Sequence, residues 1–199
     1  LAPFQVAALT ASQVTNLTTQ QIPAIDANDV SSMNPQVQIG ALNSAQVGAL
    51  TGTQLKALSP AQIRAITPAA IAGLAPVRLE ELSNAQMAAF SAAQITAMTS
   101  SQIGALSSAQ VGALSSAQLA AIDLTEIPAL STSAITGLTA SQLGKLPDFV
   151  SSLTAPQFAA LRSGELAKLP PAIVAVFSPA QVGGMTEAQI NRLTPAQWN

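Results

Sequence analysis

A large apolar residue recurs every eight positions along most of this chain. From Leu42 the lead falls at Leu50, Leu58, Ile66, Leu74, Leu82, Phe90, Met98, Leu106, Leu114, Ile122, Leu130 and Leu138 without a break in register. Counting from that lead, position 2 is usually Ser or Thr, position 5 Gln, and position 6 Val, Ile or Leu, as in Leu58-Ser59-Pro60-Ala61-Gln62-Ile63. Eight residues are too few for a helical hairpin, and the regularity exceeds that of an ordinary core. The pattern predicts a repeat array in which neighbouring units stack and supply each other's core.

The polar positions say what each octad does locally. Ser or Thr followed three residues later by Gln has the spacing of a helix-starting capping box, in which the hydroxyl accepts an N3 amide proton and the Gln reaches back to the N-cap amide. Ser59 with Gln62, Ser107 with Gln110, Ser115 with Gln118 and Thr194 with Gln197 are the candidate structural caps. Pro60, Pro68, Pro179 and Pro195 follow the cap directly, where the missing N–H costs nothing and φ already suits a helix. Gly48, Gly104, Gly112 and Gly144 at position 7 predict close approach of neighbouring backbone. Each octad therefore reads as a helix of about one and a half turns and a sharp corner. Helices this short are unstable alone in water and must be held by stacking. The fold expected is an all-α superhelical solenoid of very short helices. A β-solenoid is the alternative, disfavoured by abundant Ala and Gln and by proline where strand hydrogen bonds would be needed.

Two irregularities interrupt the frame. Met33 to Leu42 takes nine residues, so a loop or bulge is expected there, and Leu146 to Leu153 takes seven and lacks both cap and Gln, giving register irregularities near 33–41 and 146–152. The octads resume after each, and residues 1–199 read as a single solenoid with two irregular joints. The chain opens Leu1-Ala2-Pro3-Phe4 and closes one residue short of an octad at Asn199, and is expected to be a processed product or a piece of something longer.

Composition narrows the function. Apolar residues make up 49% and charged residues only 8%, with a net charge of -2. No basic run provides the cationic footprint of nucleic acid binding. Ser, Thr and Gln interrupt every stretch long before the ~18 apolar residues of a membrane span. With no Cys or His, thiolate and imidazole chemistry is excluded, including His/Cys metal sites.

Carboxylates remain to be weighed. Glu126 and Glu165 stand at position 5 in place of Gln and are expected to cap in the same way. Glu80 and Glu81 with Arg78 read as a solvated rim, not a catalytic pair. Asp26, Asn28, Asp29 and Asp123 lack the alternation of a calcium loop and read as turn and cap residues. Phe4, Phe90, Phe158, Phe177 and Trp198 read as core substitutions, whereas Phe149 falls in the off-register segment, where exposure is the alternative. No enzyme, cofactor or metal is expected.

Strings such as Leu50-Thr51-Gly52-Thr53-Gln54-Leu55-Lys56-Ala57 and Leu114-Ser115-Ser116-Ala117-Gln118-Leu119-Ala120-Ala121 resemble the LTxxQIxAL-type octapeptide repeats of large bacterial secreted and surface proteins, many of them adhesin- or haemagglutinin-like. The resemblance covers most of the chain and implies an extracellular or cell-surface location with an adhesion or structural role. It carries over no ligand residue. The alternative is a protein- or glycan-binding scaffold or secreted effector module. A protein or glycan partner, or self-association, fits the repetitive surface.

Overall fold

The computed structural model describes residues 3–198, and the side chain of Phe4 lies outside the described residues. All regular structure among them is helical, in segments of three to six residues. The chain forms two compact units, 1–102 and 103–199, with the boundary inside the helix Ser100–Gly104. Each unit is an α-solenoid of very short helices, which sets the β-solenoid aside. Helices lie against those three octads away: Pro60–Ala65 against Asn84–Ala88 in the first unit, Ala155–Ala159 against Pro179–Gly183 in the second.

The core follows the octad. Position-6 residues such as Leu55, Ile63, Val111, Leu119 and Leu143 are fully buried, and leads such as Leu58, Ile66, Leu106 and Leu114 nearly so. Phe149 is 2% exposed, so the short segment keeps its aromatic inside. Trp198 departs from its core reading: it is half exposed, as is Ile190, because no octads in the described chain stack over these last position-6 residues.

Glycine marks where backbones meet, and no described residue has positive φ, so space rather than conformation selects it. A Cβ on Gly48 would sit 2.6 Å from the carbonyl oxygen of Gly73, and one on Gly104 or Gly112 3.0 Å from a carbonyl of a neighbouring turn. The tightest approaches to backbone are at position 8, beyond those read from sequence. A Cβ on Gly73 would overlap the Ser44 carbonyl, and one on Gly137 the Ser108 carbonyl.

The irregular joints are absorbed locally. In the nine-residue segment the Ile39 N–H donates to the Asn34 carbonyl (3.1 Å) and the Gly40 N–H to the Pro35 carbonyl (2.8 Å). These five-residue spans are a widened, π-type turn that takes up one residue. In the seven-residue segment, Pro147–Ser152 is a helix entered through Leu146 with no side-chain cap.

Candidate functional site

The repeated polar element is the glutamine at position 5, and its environment begins with the capping box. The Ser59 N–H donates to Gln62 Oε1 (2.8 Å) and the Gln62 N–H to Ser59 Oγ (3.2 Å). The same pair of bonds measures 3.0 and 3.3 Å at Ser107/Gln110, and 2.7 and 3.2 Å at Ser115/Gln118. At Thr194 the N–H again donates to Gln197 Oε1 (2.9 Å), but the hydroxyl also donates to that oxygen (3.1 Å) and the Gln197 N–H bonds the Thr194 carbonyl. Pro60, Pro68, Pro179 and Pro195 each occupy the first helical position.

The other end of the glutamine does something the capping motif alone does not announce. Gln62 Nε2 donates to the carbonyls of Val30 and Met33, both at 2.9 Å. Gln94 Nε2 reaches Ile63 (2.8 Å) and Ile66 (2.7 Å), which lie 31 and 28 residues earlier. In the second unit Gln142 bonds Val111 and Leu114, and Gln181 bonds Val150 and Leu153. The acceptors include a position-6 carbonyl at a helix end and the lead carbonyl three residues on, and in some clamps the position-7 carbonyl as well, as Ser31 (3.1 Å) for Gln62. Helix ends leave such carbonyls without intrahelical partners. Each octad therefore sits over the joint between the octads three and four places earlier, clamped by one side chain that starts its own helix and finishes another's.

The register irregularities are written into the spans of these clamps. Unbroken runs give 31 residues from Gln to the position-6 carbonyl, as for Gln86, Gln94, Gln102 and Gln189. Gln46, Gln54 and Gln62 reach across the nine-residue segment, and the span is 32. Gln157 reaches across the seven-residue segment to Ile127, and it is 30. Gln38 itself lies one place late, yet its Oε1 accepts from the Asn34 N–H four residues back and its Nε2 still bonds Val6 (2.7 Å) and Leu9 (2.9 Å). The extra or missing residue leaves the clamp intact.

This double duty explains why the residue is Gln. An amide carries an acceptor and two donor protons, whereas an ionised carboxylate only accepts. Gln62 and Gln94 are each 1% exposed, and no buried side-chain nitrogen or oxygen among the described residues lacks a partner. In a capping box Glu and Gln serve equally, and a helix N-terminus favours the acid. The recurrence of Gln with so little Glu was the signal in the sequence for a second, donating role.

The carboxylate of Glu165 does not repeat the cap. No side-chain cap bond joins Glu165 and its own N-cap residue, Arg162. Its Oε2 accepts from the Ala140 N–H (2.7 Å), 25 residues back, while Arg162 Nη2 donates to the Leu138 carbonyl (3.2 Å). The donor has moved to position 2 because a carboxylate cannot donate. The Ala140 N–H holds the Glu165 carboxyl below its ordinary range, burial opposes this, and Lys168 and Arg162 add to the lowering. At the other octad with Glu in this place, Glu126 is the N-cap residue of the short helix Ile127–Ala129. In the same octad Asp123 accepts from the Thr125 hydroxyl (2.6 Å) and N–H (2.8 Å), which together lower its pKa.

The expected solvated rim is more specific than charge alone suggested. Glu80 is exposed. Glu81 pairs with Arg78 (2.8 Å) and lies 3.9 Å from Lys56, covering Gly52 where a side chain would otherwise collide. Asp26 caps its helix by accepting from the Asn28 N–H (2.8 Å), and Asp29 is buried at position 5. No group of three or more His, Cys, Asp or Glu among the described residues is placed to hold a metal ion. None of their helices is long and apolar enough to cross a membrane.

What the fold and the clamp define is an α-helical repeat module. Residues 79–108 and 97–124 match the ALTTAQ repeat family, so octapeptide repeats of that type are found in the chain. No curated protein matches it.

Proposed function

We propose that residues 1–199 are one structural or adhesion repeat region of a larger bacterial protein that is secreted or displayed on the cell surface. The observation that carries this reading is where the polar chemistry goes. Buried amides are spent on holding turn to turn, and few charges remain to steer a ligand. Even the hollow of about 340 Å³ beside Ile25 and Thr51 is edged by groups already engaged. Gln54 there bonds Ile22, Ile25 and Thr51, and Asp26 bonds Asn28. The presence of ALTTAQ-type repeats supports the surface setting. The octad register runs through Gln102 and Ile103 without a break, which supports a single array across both compact units.

The test is antibody labelling of intact producer cells with serum raised against the purified chain. Labelling that protease treatment of whole cells removes is the expected outcome. Labelling that appears only after lysis would overturn the surface location.

A further inference from the structure

Octad 74–81, inside the first unit, is joined to the earlier turn differently from its neighbours. Ser59 with Gln62 boxes the helix two octads before it, and Ser83 with Gln86 the helix after it. The amides of those two glutamines clamp the earlier turn at Met33 and Leu55. Between them the ladder of clamps is interrupted. Ala75 opens the helix Pro76–Glu80 with no side-chain cap bond. Arg78 stands at position 5, but its Nη1 donates to Glu81 Oε1 within the same octad (2.8 Å). The carbonyls a clamp from this position would reach, 31 and 28 residues back as for Gln86, are those of Val47 and Leu50. The Val47 carbonyl accepts from the Leu50 N–H (3.2 Å), and no side chain among the described residues donates to either carbonyl.

Octad 66–73 also lacks the amide, but it packs backbone to backbone through Gly73 and Ser44. Octad 74–81 has Glu81 in the place of that glycine, and its polar link to the earlier turn is charge. Glu81 fills the space that a Cβ on Gly52 would take and lies 3.9 Å from Lys56. Residues 30–55 and 82–122 carry no charged side chain, so this ionic contact falls between long stretches without charge. The Lys56 and Arg78 side chains are 62% and 38% exposed, and ion pairs so open to water hold weakly and are screened by salt. Leu79 and Leu82 supply the usual buried apolar contact, while Val77 points its side chain outward.

We infer that octad 74–81 is an opening joint built into the array. It parts from residues 47–57 as a local event while the clamped octads 58–65 and 82–89 stay shut, and salt favours the open form. Once parted, its five-residue, uncapped helix has little to keep it wound. Segments of low local stability open well below the cost of global unfolding, so an array under tension yields at this joint before a clamp breaks. The joint does not depend on where the chain is displayed, and its failure and that of the surface location are separate results.

The experiment is hydrogen–deuterium exchange with mass spectrometry on the purified chain, comparing residues 74–82 with the boxed and clamped 90–98. It is run in about 0.1 M and about 1 M sodium chloride, where charges are screened beyond roughly 10 and 3 Å. Corrected for intrinsic rates, 74–82 is expected to exchange at least about tenfold faster than 90–98. High salt is expected to widen that ratio by roughly two- to threefold. Ala75→Ser with Arg78→Gln supplies a capping box and a donor for the Val47 and Leu50 carbonyls. The double variant is expected to slow exchange in 74–82 at least about tenfold and to leave 90–98 unchanged. Equal protection of the two octads in the wild type, a ratio indifferent to salt, or a double variant no better protected than the wild type would each overturn the proposal.

Discussion

Octad 90–97 and octad 130–137 solve the same problem by opposite means. In the first, Gln94 bridges the gap to the earlier turn with hydrogen bonds to Ile63 and Ile66. In the second, Ala134 stands where Gln would be and is fully buried, and Gly137 brings the backbone against the Ser108 carbonyl. Octad 66–73 repeats the second solution with Ala70 and Gly73, the latter against Ser44. A long amide at position 5 goes with a spaced, clamped contact. A short side chain there goes with glycine at position 8 and direct packing. Octad 161–168 is a third case, in which Arg162 supplies the donor that Glu165 cannot. The lesson is that adjacent turns must satisfy helix-end carbonyls and fill space together, and position 5 decides which device does it.

The strongest way to break the clamped type is Gln94→Glu. The carboxylate still accepts from Ser91 but faces two carbonyl oxygens at hydrogen-bonding distance, buried from water. A loss of about 3–5 kcal/mol at neutral pH is expected, the cost of an uncompensated buried charge, measured by urea denaturation. Protonation restores a donor, so the folded pKa of the introduced glutamate rises above the ordinary ~4.3. The defect should be mildest below that value and should grow as pH rises through the folded pKa. A variant as stable as the wild type at pH 7 would show that the Nε2 bonds contribute nothing.

Gly137→Ala attacks the directly packed type. The new methyl meets backbone that cannot swing aside, and a loss of about 1–3 kcal/mol is expected. Gly183→Ala is the control: nothing lies within 4 Å of the added carbon. With negative φ at that site, a gain of about 0.4–1 kcal/mol is expected. Equal thermal shifts in the two variants would remove close approach as the explanation for glycine.

The smallest effect sharpens the third case. The Glu165 carboxylate has a lowered pKa, chiefly through the Ala140 N–H. Its contribution is therefore present above the ordinary glutamate range and lost as pH falls through the lowered folded value. Glu165→Gln should cost on the order of 1 kcal/mol near neutrality, and the difference from wild type should vanish in acid. Parallel stability-versus-pH curves for the two proteins would contradict the Ala140 bond.

The octad by itself determined the local structure. Capping spacing, proline after the cap and two apolar positions per unit depend only on residues within about one helical turn of each other, so Ser59 and Gln62 announce their helix wherever the chain goes next. It also implied that such short helices must stack. What sequence reading assigned to capping alone, tertiary structure divided between two jobs. Nothing local says that Gln62 ends at Val30 and Met33, because that distance is set by how many octads complete a turn. The same geometry decided that Glu165 leaves its own cap for Ala140, that Gly73 and Gly137 touch Ser44 and Ser108, and that Trp198 stays half exposed. Each is a contact between residues some 24 or more positions apart, or the lack of one, and the octad carries no local term for it. Helix boundaries follow from bonds along the chain; the identity of position 5 follows from the turn it must reach.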